Sequence, residues 1–104
     1  MNERRRHRSA SLDAALELFL DACRQRAGAE ALLVADDHGF LVGSAAAPPR
    51  DLTLEAALLL HPRAKRHSFR VGPHQLHVGG LGLSAAAASR ALAEAAQGVA
   101  RILA

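Results

Sequence analysis

Histidine is the residue that first suggests chemistry in this sequence, since six in 104 residues is a high share and His74-Gln75-Leu76-His77 has the look of a ligand pair. On a strand, however, a three-residue step sends the two imidazoles to opposite faces, where they cannot share one ion. His61 and His67 have no Cys or carboxylate at a recognised ligand spacing, so solvated surface histidines are the expected reading and no metal is assigned. Asp36-Asp37-His38 offers two carboxylates and an imidazole together, the elements of acid–base catalysis. Followed by Gly39, they also suit a hairpin tip, where Asp favours turns and a catalytic cleft is scarce. Gly79-Gly80-Leu81-Gly82-Leu83-Ser84 runs from a strand into a helix, as phosphate loops do. It lacks the P-loop lysine before Ser84, and the dinucleotide fingerprint counted from Gly79 finds Ser84 at its third glycine position. The only cysteine, Cys23, sits on the apolar stripe of a helix and reads as a small core residue. No catalytic residue and no cofactor are assigned.

Arg63, Lys65 and Arg66, with His67 and Arg70, form the one basic cluster in the body of the chain and are the candidate anion contacts. The formal charge of +3 is otherwise a property of the start: residues 1–8 hold four of the thirteen basic residues and one of the ten acidic ones, leaving nine of each sign in the rest. With no aromatic interleaving and no reading helix, the pattern argues against nucleic acid and for a basic disordered tail over residues 1–10. Residues 11–104 are then one domain. One cysteine excludes an internal disulfide framework, no apolar run spans a membrane, and acidic residues interrupt any secretory leader, so the expected compartment is the cytoplasm.

The elements that would position these residues follow from periodicity and breakers. Ser11 is the expected N-cap of a helix to about Ala27, with Leu12, Ala15, Leu16, Phe19, Ala22, Cys23 and Ala27 as its apolar stripe and Gly28 as its stop. Two apolar runs, Glu30–Ala35 and Phe40–Ser44, flank the Asp36–Gly39 turn as a hairpin. Asp51 caps a second helix, about Leu52–Leu60. A second hairpin joins Arg66–Val71 to Gln75–Leu81 through Gly72-Pro73-His74. Ser84 caps a final helix, Ala85 to about Leu103, with Ala88, Leu92, Ala95 and Val99 inward. Helix, hairpin, helix, hairpin, helix is an α+β sandwich with an antiparallel sheet of four to five strands.

The second helix is apolar nearly all round: only Thr53 and Glu55 are polar between Leu52 and Leu60. A chain with 3% aromatic residues and no Trp or Tyr has little material to cover it. A second copy of the chain is the simplest cover, and the expected dimer interface is Leu52, Leu54, Glu55, Leu58 and Leu59 with Phe69 of the third strand.

The order of elements, together with Ala31-Leu32-Leu33-Val34-Ala35-Asp36-Asp37-His38-Gly39-Phe40-Leu41-Val42, resembles the roadblock/dynein light chain (roadblock/longin-like) superfamily. That stretch is similar to the family's first hairpin, and Leu54-Glu55-Ala56-Ala57-Leu58 to its Ala-rich second helix. One departure is that the family usually places three strands between its second and third helices, where this chain has room for two. The resemblance implies sheet order 2-1-4-3, with the first and last helices on one face and the second helix on the other. It also implies homodimerisation through the second helix and the neighbouring edge strand, no catalytic residues, and regulation or scaffolding of a small Ras-like GTPase. The alternative from another class is a GAF- or PAS-like sensor binding a small ligand between sheet and helix.

Overall fold

The computed structural model describes residues 2–104, with side chains from Ser11 onward. The elements are α1 (Asn2–Ala27), β1 (Ala31–Asp36), β2 (Leu41–Ala46), α2 (Thr53–Leu58), β3 (His67–Val71), β4 (His74–Leu81) and α3 (Ala85–Leu103). The order matches that read from the sequence, and the sheet has four strands arranged β2-β1-β4-β3, all pairs antiparallel. Among the described residues no helix is long and apolar enough to cross a membrane.

The central position of β1 is written in its composition. Ala31-Leu32-Leu33-Val34-Ala35 is apolar at every position rather than alternately, as a strand covered on both faces requires. All five residues are buried. Leu32 and Val34 meet Leu16, Leu20, Val78, Leu92 and Val99 in the larger core, under α1 and α3. Ala31, Leu33 and Ala35 point the other way, to Leu52, Ala56 and Leu59 in a smaller core under α2.

Helix ends are set by local hydrogen bonding. Gly28 (φ 68°) follows α1 in the left-handed region, with Ala29 N–H donating to Arg24 O and Gly28 N–H to Gln25 O, the paired bonds of a Schellman stop. At the start of α3 the Ser84 hydroxyl accepts from Ala87 N–H. Gly39, at φ 81°, turns the first hairpin and lies against α2, where a Cβ would press on Ala57.

Three boundaries differ from expectation. α1 begins at Asn2, so Ser11 lies inside the helix rather than capping it; the basic tail falls on residues 1–10, whose side chains lie outside the described residues. The inward face of α1 is Leu16, Leu20 and Cys23 with Phe19, while Ala15 and Ala22 are exposed. Small alanines cost little in water, so the large residues decide the rotation. α2 is only six residues long, with Leu59 and Leu60 in the turn that follows. The second turn is two residues, since His74 already belongs to β4.

Candidate functional site

The start of α2 is held by Asp51, whose Oδ1 accepts from Thr53 N–H at 2.9 Å and from the Thr53 hydroxyl. Those bonds hold the carboxyl below its ordinary value, the hydroxyl contributing most. A folded-state value below the unfolded one stabilises the fold above the ordinary Asp value of about 3.9, and the stabilisation disappears as pH falls through the lowered value. Asp51→Ala should therefore melt lower than wild type near neutral pH, with the gap closing towards pH 2 in melting curves. Leu52, not Asp51, occupies the cap position itself, and a gap that persists in acid would show that the ionised Asp51 carboxyl is not what holds the start of α2.

In α2 and the residues that flank it, the leucines divide by helical step. Leu52, Ala56 and Leu59, spaced four and three apart, are buried in the chain's own smaller core, and Leu54 and Leu58 point outward with 69% and 56% of their surface exposed. Leu52, expected at the interface, is wholly buried and thus unavailable to a partner; Leu59 keeps only a small exposed surface, and Leu54 and Leu58 are free to meet a partner. Phe69 also differs from expectation. It packs from β3 onto the larger core, opposite Leu76, on the α1/α3 side of the sheet. Beside the outer face of α2 lies a groove of about 230 Å³, with Leu33, Leu58, Leu59 and Leu81 among its walls and Glu55 and Lys65 as its charged lining.

Of the basic cluster, Arg66 is occupied: its Nη1 donates to the carbonyls of Leu59 and His61, each at 2.9 Å, tying down the turn after α2. It is a structural cation rather than an anion contact, while Arg63 and Lys65 are exposed. The glycine-rich stretch is used for packing. Leu59 lies over Gly79, Leu83 and Leu32 crowd Gly80, and Gly82 sits against Glu30, an unfavourable neighbour for a phosphate. Cys23 is buried, and burial pushes its thiol up, away from the reactive thiolate.

The histidines separate as strand geometry requires: His74 is exposed, and His77 is buried at 4% exposure. His77 is no surface residue, contrary to expectation, and it has two partners. Its Nε2 lies 2.9 Å from Asp37 Oδ1 and its Nδ1 2.8 Å from Ser68 Oγ. A carboxylate only accepts, so in the neutral ring Nε2–H donates to Asp37 and Nδ1 accepts from the Ser68 hydroxyl. Asp36, by contrast, is used by the hairpin turn, its Oδ1 accepting from His38 N–H at 2.8 Å and Phe40 N–H at 3.0 Å. Among the described residues no three His, Cys, Asp or Glu side chains converge as a metal site.

Compared with known proteins, the chain matches no protein-family model and no curated protein sequence. Solved structures do resemble it. A structure described as MglB with a tetrameric arrangement superposes with a TM-score of 0.65 at 18% identity, covering 90% of this chain and 91% of that one. The gliding protein MglB from Thermus thermophilus gives 0.64 at 18% identity, with 90% and 92% covered. Myxococcus xanthus MglB gives 0.57 at 16% identity, with 86% and 87% covered. The fold is roadblock/longin-like.

In this roadblock-like chain the sheet order is the one the resemblance implied, with α1 and α3 over one face and α2 over the other. The count settles at four strands, with two between α2 and α3. The Ser68–His77–Asp37 array was not found from the sequence. The three-residue turn expected at Gly72-Pro73-His74 would set Ser68 opposite Val78; the two-residue turn sets it opposite His77, and Asp37 joins them from 40 residues away.

Proposed function

We propose that this chain acts by binding, as a homodimeric protein-interaction module that regulates or scaffolds a small Ras-like GTPase. The observation that carries the dimer is the outward pair Leu54 and Leu58 on a six-residue helix beside an apolar groove. Large side chains exposed together in this way mark interaction surfaces rather than ordinary solvent-facing helix. In a two-fold dimer the same patch serves both copies, so one exposed pair supplies four buried leucines. The GTPase part of the proposal is supported by the family resemblance and by the fold shared with MglB.

The groove also favours a protein occupant over a small metabolite. At about 230 Å³ it is smaller than the usual ligand pocket of roughly 300–1,000 Å³, which weakens the sensor alternative, but it has room for leucine side chains from a second copy. Light scattering across a dilution series tests the reading: a dimer mass that holds through the micromolar range is expected. A monomer mass at every concentration would refute the dimer.

A further inference from the structure

We propose that Ser68 is an activated nucleophile that takes up an acyl group from small esters. The site lies on the α2 side of the sheet, over its β4 and β3 half. Ser68 is exposed, His77 is 4% exposed, and the Asp37 side chain retains 62% of its surface. Solvent-borne substrate can therefore reach the hydroxyl while the base is shielded, and Asp37 holds the ring through Nε2 so that Nδ1 faces Ser68 Oγ at 2.8 Å. A nucleophile on a base that is oriented by a third group is the arrangement acyl transfer needs.

Strand pairing explains why the contact is so direct. The two-residue turn closes on the hydrogen-bonded pair Val71 and His74, and alternation from there makes Ser68 and His77 a non-hydrogen-bonded pair. Facing side chains approach most closely at such a pair. The same alternation turns the Ser68 N–H away from β4, and β3 is an edge strand, so this donor points to open solvent beside its own Oγ. It can receive the negative charge that develops on a carbonyl oxygen during attack. The acyl chain has a place nearby. Gly79 is the next residue after His77 on this face, about 7 Å along the strand, and Leu59, which lies over it, is a wall of the apolar groove.

The step balances without any further reagent. Ser68 Oγ bonds to the ester carbonyl carbon as His77 Nδ1 takes the hydroxyl proton. The carbon–alkoxy bond then breaks, the leaving oxygen takes that proton back from Nδ1, and acyl-Ser68 and a free alcohol remain. Water attacking the acyl group by the same route would restore the hydroxyl and release a carboxylic acid.

The experiment is exposure of the full chain to p-nitrophenyl acetate, following nitrophenolate release and mapping acetyl groups by peptide mass. Acetylation of the Ser68 peptide is expected, and Ser68→Ala abolishes it; because that substitution also removes the partner of buried His77 Nδ1, circular dichroism checks that the variant is folded. His77→Gln lowers the rate by about 100-fold or more, the scale of a positioned base. Should that buried substitution fail to fold, Ser68→Ala remains decisive. Asp37 is a positioning residue, so Asp37→Asn lowers the maximal rate but leaves the half-saturating ester concentration unchanged. The reaction is run on wild type and on Leu54→Asp, whose side chain is exposed and lies outside the groove lining, so that it does not depend on the dimer reading. Label at Ser68 in either supports the proposal; label only at Lys65 or the chain start, or release unchanged by Ser68→Ala, overturns it.

Discussion

Leu58→Asp weakens the dimer by about 100-fold or more while the protomer stays folded. Leu58 has 56% of its surface still in water, so covering it in a dimer is worth roughly half of the 1.5–3 kcal/mol for burying a whole leucine. Two-fold symmetry doubles this to about 1.5–3 kcal/mol, and each 1.4 kcal/mol is a factor of ten. The carboxylate adds a desolvation cost of its own. The fold is spared because the core contacts of α2 come from Leu52, Ala56 and Leu59, none of which is touched. Sedimentation or light scattering reads the loss, and far-ultraviolet circular dichroism confirms the fold. Leu18→Asp, on the outer face of α1 at 73% exposure, is the control. Equal weakening by both variants would mean that charge, rather than position on α2, is responsible.

Gly98→Val costs the fold about 3 kcal/mol, although valine is the better helix former. Gly98 is buried in α3, and the end of the Phe19 ring from α1 occupies the space a Cβ would need. The gain from replacing glycine within a helix is less than about 1 kcal/mol. Against it, either the ring swings out of the larger core and loses its burial, or the two helices part and empty the contacts of Leu16, Leu92 and Val99. Either outcome is a large fraction of the 5–15 kcal/mol that holds a domain together. Chemical denaturation measures the loss, and shortening the ring with Phe19→Leu in the same chain recovers part of it. If Gly98→Val is neutral, or Phe19→Leu recovers nothing, the helices are not held apart by this contact.

What the sequence disclosed, and what it withheld, follows from the range of the interactions. The Ser84 cap, the Gly28 stop and the turns at Gly39 and Gly72 depend on neighbours within a few residues, and each lies where local chemistry put it. The apolar run of β1 announced a strand covered on both sides. In α2 the local signal fails: leucine or alanine fills nearly every position, so no stripe distinguishes Leu52 and Leu59, which turn inward, from Leu54 and Leu58, which do not. The role of Arg66 depends on where the carbonyls of Leu59 and His61 fall in space. His77 was hardest to place. Its burial is made tolerable by Ser68 across a hairpin and Asp37 from another, and no pattern within β4 records either.

The strand order has a consequence of its own. Because β2 and β3 are opposite edges of the sheet, the chain consists of two halves, α1–β1–β2 and β3–β4–α3, joined through the β1–β4 pair and the α1–α3 contact. Residues 47–66, which carry α2, form the covalent tether between them, and this tether has to cross three interstrand gaps, about 14 Å. Its length therefore decides whether a first half closes on the second half of its own chain. A tether cut too short to cross would leave each half to close on the complementary half of another molecule, so that the same strand pair would build an interlocked exchange of halves between two chains.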